Sequence, residues 1–242
     1  RVKEGLMIGS EGRQTAALAE RRARVPPRFP GFEEMAFFSG AYWEYSWREM
    51  GITNGKIDPE GSGIVRVELS NPIDVDLGPA RALRLFEMTC PTNPARAPAW
   101  WPQWHYLGID DGVLYAAAEI DAGEYGVVTI FDSKTGEVHP QGFMGSFSGR
   151  RPRSVTSRPT INPFLITRAV VVEERFFDPD ADMIGGVRIC DGERHHYKIR
   201  ELYLPGKGFG GWSRSGTSIY AGGGYVDIFE AAIEVRLTAT NL

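Results

Sequence analysis

The stretch at residues 106–136, YLGIDDGVLYAAAEIDAGEYGVVTIFDSKTG, decides the fold class of this chain. Its three apolar runs are rich in β-branched and aromatic residues. They are separated by Asp-Asp-Gly at 110–112 and Asp-Ala-Gly at 121–123, and the polar run 132–136 follows the last of them. Residues of these types favour tight turns, and turns this short join antiparallel neighbours, because parallel strands need a long crossover. The stretch therefore predicts consecutive antiparallel strands.

The same alternation continues in both directions along the chain. Trp43, Tyr45 and Trp47 point to one side of an extended segment, and the polar residues between them point to the other side, as in a half-buried strand. The pattern predicts about ten strands, at 43–47, 64–69, 82–89, 103–109, 113–120, 125–131, 164–177, 186–190, 196–204 and 225–238. The segments 91–102, 145–163 and 205–224, rich in Pro, Arg or Gly, are predicted to be long loops.

Many short strands with little helix predict an all-β fold over residues 32–242, either an antiparallel β-barrel or a two-sheet β-sandwich. Residues 1–31 are predicted to form an N-terminal arm with a short alanine-containing helix at 11–24, which Pro26 and Pro27 end. A helix followed by the aromatic strand after Gly40 resembles the start of a lipocalin-like barrel of the calycin class. The resemblance implies the barrel and assigns no site residue.

Composition excludes several classes of protein. The hydrophobic fraction of 42% can fill a sizeable core, which excludes intrinsic disorder, and 29 Gly with 16 Pro exclude a long coiled coil. A net charge of -4 argues against a general nucleic-acid-binding protein. No apolar run reaches the ~20 residues that cross a bilayer, so no transmembrane segment is expected. The sequence shows no leader pattern and indicates no compartment.

Several acidic residues fall on the apolar side of their predicted strands. Glu201 lies between Ile199 and Tyr203, and Asp227 shares a face with Phe229 and the apolar residues that follow it. Glu119 and Glu87 stand in similar positions. A carboxylate among apolar groups must be paired, hydrogen-bonded or protonated, and a raised pKa suits a general acid or base. The predicted catalytic residues are therefore Glu201, Asp227 and Glu119, with His195 as a proton-transfer partner. The structural alternative is a network with arginine or with a tyrosine hydroxyl.

Aromatic residues supply the predicted substrate-binding positions. They cluster after a proline-rich segment and recur on the strand that carries Glu201, and they are Trp100, Trp101, Trp104, His105, Tyr106, Tyr197 and Tyr203. Aromatic faces can stack on a hydrophobic or ring-shaped ligand. The structural alternative is that they close one end of the barrel.

The sequence contains no recognisable metal-binding or cofactor-binding motif. The four histidines lack ligand spacing, so no metal site is predicted, and the Walker, Rossmann and GxSxG patterns are absent, so no cofactor is predicted. The acidic run 178–182 resembles the start of an EF-hand loop but departs from it at Met183 and Ile189. The arginine-rich segment 149–158 could clamp an anion. Cys90 and Cys190 are predicted to be buried thiols, with a disulfide between them as the alternative.

These features predict a cofactor-independent isomerase, cyclase or lyase acting on a small hydrophobic or aromatic molecule in a barrel cavity. One alternative is a β-sandwich module that binds carbohydrate or a hydrophobic ligand without catalysis. Another is a structural subunit that docks through its N-terminal arm, including a homo-oligomer formed through that arm.

Overall fold

A computed structural model describes residues 28–54, 56–78, 81–90, 104–121, 124–145, 147, 153–162, 165–177, 192–222 and 225–242. Within these ranges the regular elements are eleven β-strands. Their bounds are β1 Tyr42–Thr53, β2 Lys56–Asp76, β3 Ala82–Thr89, β4 Tyr106–Asp110, β5 Val113–Asp121, β6 Glu124–Asp132, β7 Ser154–Asn162, β8 Leu165–Phe177, β9 Gly192–Leu204, β10 Gly208–Gly222 and β11 Tyr225–Thr240.

The strands form one antiparallel sheet in the order β6-β5-β4-β3-β2-β1-β11-β10-β9-β8-β7. Two meanders, β1 to β6 and β7 to β11, are joined side by side through β1 and β11, where Trp47 faces Val235. In the described part of the chain, β6 and β7 have no partner strand on their outer sides, so the sheet is open and not a closed barrel. The predicted all-β antiparallel class is confirmed, whereas the strand order does not decide between barrel-like and sandwich-like packing.

The sheet curls so that distant strands share a core. β6 and β9 are eight steps apart in the sheet order, which would separate them by roughly 38 Å in a flat sheet at about 4.8 Å per step. Instead, the ring of Phe131 on β6 stacks on that of Tyr203 on β9, with centroids 4.8 Å apart and planes 19° from parallel. The curvature therefore brings one face of the sheet inward around a main core.

Alternation along β1 supplies part of this core. Trp43 and Tyr45 are buried, as the sequence pattern predicts, and Trp47 is half-buried. The indole of Trp43 donates to the carbonyl of Lys207 (2.6 Å), and the hydroxyl of Tyr45 donates to the carbonyl of Phe209 (2.9 Å). Because both acceptors lie at the β9–β10 connection, the aromatic residues of β1 also fix that connection.

The last residues of the predicted arm pack against the sheet. Phe29 is buried, its ring lies 6.1 Å from that of Phe131, and its amide donates to the carbonyl of Ser133 (2.9 Å). The predicted helix at 11–24 lies outside the described residues. The division of the chain at residue 31 stays a prediction.

Two predicted loops are wrong, because the segments 145–163 and 205–224 contain the strands β7 and β10. Pro159 fits within β7 because β7 lies at the edge of the described sheet, where its one described partner is β8. In β10, Gly211 has a φ of 136°, and an added Cβ would overlap the carbonyl oxygen of Val235. The register with β9 shifts between Phe209 and Gly211. The glycine therefore marks a β-bulge and a close approach between strands, not a loop.

Several further predictions lie outside the described residues, namely the strand at 186–190, the acidic run 178–182 and Cys190, with which a disulfide from Cys90 is the alternative prediction. Cys90 follows β3 and packs half-buried against the main core. Over the ranges given above, no helix has the length and apolar character needed to cross a membrane.

Candidate functional site

Glu201 on β9 is fully buried, and both of its carboxylate oxygens accept hydrogen bonds. Oε1 accepts from the amide of Met144 (2.7 Å). Oε2 accepts from the amide of Phe143 (2.9 Å) and from the hydroxyl of Tyr203 (2.6 Å). The structure therefore places Glu201 and Tyr203 on the buried face that the alternation predicts. The partners are two backbone amides and a tyrosine hydroxyl, without an arginine.

The segment that supplies these amides, residues 139–145 with 147, is anchored at two further points. The indole of Trp104 donates to the carbonyl of Phe143 (2.8 Å) and lies edge-on to the ring of His139 (5.9 Å). Arg153 donates through Nη1 to the carbonyl of His139 (2.7 Å). Trp104 therefore helps to hold the segment that binds Glu201.

Burial sets the ionisation of this pair. It raises the pKa of Glu201 above the ordinary value of 4.5, and the three hydrogen bonds oppose the shift without cancelling it. Burial also raises the pKa of Tyr203 well above 10.0, and the adjacent carboxylate adds to the effect. Tyr203 therefore stays a neutral donor at ordinary pH, and Glu201 is a carboxyl group fixed by three donors.

The inner cavity bordered by Trp43 and Phe209 leaves little space for a substrate. An inner cavity has a volume of ≈ 10 Å³, which is about the space for one water molecule. Its lining is almost wholly apolar: Phe37, Trp43, Tyr45, Val67, Met88, Leu107, Leu114, Phe143 and Phe209. A small aromatic molecule does not fit in this part of the interior.

Strand register places the other predicted acid–base residues in different rows of the sheet from Glu201. By strand register, His195 faces Ser218, Asp227 faces Tyr220 and Glu119 faces Tyr125. Six residues along β9 separate His195 from Glu201, which is about 20 Å at the usual rise of a strand. The fold therefore does not bring His195 to the carboxyl group of Glu201.

Trp104 and Tyr203 both lie beside the contact between Phe143 and Glu201, whereas the other predicted aromatic residues are dispersed. Tyr106 lies edge-on to Tyr125 with centroids 5.1 Å apart, and His105 is exposed. The ring of Tyr197 lies 4.6 Å from the guanidinium of Arg214. Trp100 and Trp101 lie outside the described residues. No common surface of these residues appears in the part of the chain that the structure describes, so their role in binding stays a prediction.

A larger space lies on the opposite, outward face of β1, β9, β10 and β11, and we call it the outer groove. Its volume is ≈ 310 Å³, and it is lined by Met50, Ile52, Lys198, Ser215, Gly216, Thr217, Glu230, Ala231 and Ala232. Strand register places Lys198, Ser215, Ala232 and Met50 in one row across the sheet. Small residues on the two central strands form the floor, and longer side chains form the walls.

Comparisons with known proteins add no function to this geometry. No family model, curated protein or solved structure matches this chain. Among the residues that the structure describes, no group of three or more His, Cys, Asp or Glu side chains is placed to hold a metal ion. The function must therefore be inferred from the contacts of the chain itself.

A basic cluster borders the outer groove on the side of β8 and β9. Glu173 accepts from Nε of Arg175 (2.8 Å) and from Nε of Arg200 (2.6 Å), and the ammonium of Lys198 lies 3.5 Å from it. Burial opposes ionisation of Glu173, but the hydrogen bonds from Arg200 and Arg175 outweigh it and lower the pKa to about 2. Glu173 is therefore ionised at neutral and at mildly acidic pH.

We expect Glu173→Gln to cost about 1–3 kcal/mol of unfolding free energy near pH 7, the scale of hydrogen bonds to a buried charged group whose partners are exposed to solvent. The folded pKa lies below the ordinary 4.5, so the contribution is present above pH 4.5 and is lost as the pH falls towards 2. Urea unfolding at several pH values measures it, with exposed Glu137→Gln as the control. A difference from wild type that grows on acidification would contradict the assignment.

The residues of the outer groove are not among the predicted site residues. Ser213, Ser215 and Thr217 alternate outward along β10, but they lie in a segment whose glycines predict a loop. The alternation of these three residues is the sequence signal for the groove, and it indicates a strand because Gly211 lies at a β-bulge. The neighbouring strands that complete the groove come from both ends of the described chain.

Proposed function

We propose that this chain is a binding module that holds a small molecule in the outer groove and does not catalyse a reaction on it. The observation that carries the proposal is the volume of that groove, ≈ 310 Å³ against ≈ 10 Å³ for the inner cavity. A space of the larger size lies at the lower end of the range of small-molecule sites. The proposal corresponds to the non-catalytic alternative raised by the sequence.

The contacts of Glu201 support a structural role more than a catalytic one. A general acid or base must reach a substrate proton, at about 2.6–3.2 Å or through one water molecule. Both oxygens of Glu201 already accept from buried donors at 2.6 to 2.9 Å. The predicted isomerase, cyclase or lyase would therefore depend on Asp227, Glu119 and His195, which stay candidates without a described contact.

We also infer that the curled sheet is barrel-like. The main core takes buried residues from strands of both meanders, including Val67 of β2, Ile130 of β6, Val172 of β8 and Val235 of β11. A sandwich would divide these strands between two separate sheets, whereas all the described strands belong to one hydrogen-bonded sheet. The outer groove then lies on the convex side, where a ligand has direct access from solvent.

Chemical-shift mapping tests the binding function. The isotope-labelled chain is titrated separately with short-chain carboxylates, alcohols and monosaccharides, and the amides of Ser215 and Thr217 are monitored. We expect at least one of these classes to shift the groove amides, and Ala232→Trp to abolish the shifts by filling the floor. Ile64→Trp is the control, since Ile64 is 64% exposed on β2, away from the groove.

Shifts confined to residues outside the groove, or binding that survives Ala232→Trp, would overturn this function. The absence of shifts with all three ligand classes would also count against it. Comparison of the unfolding midpoints of Ala232→Trp and Ile64→Trp shows whether a loss of binding reflects a blocked groove or a damaged fold.

A further inference from the structure

The charges around the outer groove identify a ligand class, and this inference rests on the proposed binding function. We propose that the groove takes a small amphipathic carboxylate, whose carboxylate binds Lys198 and whose apolar part lies against Met50 and Ile52.

The first step is the charge balance beside the groove. Among the described residues, Arg175, Lys198 and Arg200 share the carboxylate of Glu173, so these four side chains carry an excess of two positive charges. The two arginines make hydrogen bonds of 2.8 and 2.6 Å, whereas Lys198 lies at 3.5 Å, beyond ordinary hydrogen-bond length. Lys198 is therefore the least engaged of the three cations, and it is the one that lines the groove.

The second step is the shape of the groove. Lys198 and Met50 stand at opposite ends of one row, three inter-strand steps apart, which is about 14 Å between their backbones. Ser215 and Ala232 lie between them and leave the floor low. The groove thus has a cationic wall and an apolar wall, separated by the length of a small molecule.

The third step is the position of the acidic residue. Glu230 is exposed and lies in the next row, between Thr217 and Ile52. A ligand carboxylate is repelled by Glu230 and attracted by Lys198, so it is placed at the β9 side of the groove. Removing the charge of Glu230 should therefore strengthen the binding of an anion.

Hexanoate and hexan-1-ol are matched probes for this inference, because they share a six-carbon chain and differ in charge. We expect hexanoate to bind more tightly than hexan-1-ol, with an affinity that falls as salt is added, because salt screens the contact with Lys198. Lys198→Met keeps an unbranched side chain that is one atom shorter and removes its charge. It should weaken hexanoate about tenfold and leave hexan-1-ol unchanged, whereas Glu230→Gln should tighten hexanoate about twofold.

Arg168→Met is the control for a general loss of positive charge, since Arg168 is exposed on β8, seven residues along the strand from Arg175. Equal affinities for the two probes, with no effect of Lys198→Met or Glu230→Gln, would overturn the carboxylate assignment and leave the binding function standing. If neither probe shifts the groove amides while monosaccharides do, the carboxylate assignment is overturned as well. If no probe class shifts them, the binding function itself fails. The two variants act in opposite directions, so misfolding of one cannot imitate the expected pair of results.

Discussion

Replacing Glu201 with alanine is expected to lower the unfolding free energy by about 3–5 kcal/mol, because it removes the acceptor of three buried hydrogen bonds. A buried donor left without an acceptor costs about 1–3 kcal/mol, and the truncated side chain also leaves a cavity. The donors are the amides of Phe143 and Met144 and the hydroxyl of Tyr203. Since a whole domain is stable by about 5–15 kcal/mol, this single change would remove a large part of the total.

Matched variants separate the carboxylate contacts from the loss of a charge. Glu201→Gln keeps one oxygen acceptor and should cost less than alanine. Tyr203→Phe removes one donor, keeps the ring stacked on Phe131, and should cost about 1.5 kcal/mol. Glu137→Ala is the control, since Glu137 is exposed and should change stability by less than about 0.5 kcal/mol. Equilibrium unfolding in urea measures all four, and equal costs for Glu201→Ala and Glu137→Ala would contradict the prediction.

The contribution of Glu201 to the unfolding free energy should change with pH in a defined direction. The folded pKa of Glu201 is raised above 4.5, so the folded state favours the protonated carboxyl group. Stability from this group is therefore lost as the pH rises from 4.5 to the folded pKa. Glutamine does not titrate, so the cost of Glu201→Gln relative to wild type should shrink over that window. A cost that grows over the same window would mean that the hydrogen bonds outweigh burial.

Gly142→Ala should be more destabilising than Gly145→Ala by about 1–3 kcal/mol, the usual cost of forcing extra atoms into a packed site. The two glycines have φ angles of 70° and 69°, so both variants pay the same cost of a left-handed backbone, about 1–2 kcal/mol. A Cβ at Gly142 would lie 2.6 Å from Oε1 of Glu201 and 2.5 Å from Cδ2 of Phe147, whereas nothing lies within 4 Å at Gly145. The difference isolates contact with the Glu201 carboxylate and the Phe147 ring.

A double-mutant cycle sharpens this comparison. In the Glu201→Ala background the carboxylate oxygens are gone, so Gly142→Ala should cost less there than in wild type, while Gly145→Ala should cost the same in both. Thermal and urea unfolding of the six proteins provide the measurement. Additive effects at Gly142, or equal costs at the two glycines, would show that the segment does not press against Glu201.

The strands that the sequence predicts well are those with a regular alternation and a short turn. Val113–Asp121 and Glu124–Asp132 fall close to the predicted 113–120 and 125–131, because Asp-Ala-Gly leaves room only for a tight connection. The prediction of a loop at β10 is wrong for a physical reason. Glycine favours loops locally, whereas here Gly211 permits a bulge against Val235. The secondary-structure propensity of a residue does not depend on how closely a neighbouring strand approaches it, so it cannot predict the bulge.

The candidate site likewise has a part that the sequence predicts and a part that it does not. The alternation of Ile199, Glu201 and Tyr203 predicts the buried face of β9, and the structure places Glu201 and Tyr203 on it. It cannot predict that Phe143 and Met144, nearly sixty positions earlier, bring their amides to the carboxylate. The outer groove depends in turn on Met50 and Lys198 standing in one row, which requires the pairing of β1 with β11.

That pairing also bears on how the chain reaches its native state. Every other ladder between the described strands joins neighbours along the chain, whereas Trp43 pairs with Thr240 after about 200 intervening positions. Closing so long a loop costs roughly 3 kcal/mol more conformational entropy than closing a hairpin. We therefore expect the two meanders to gain structure before they meet, and the union of β1 with β11 to limit the folding rate.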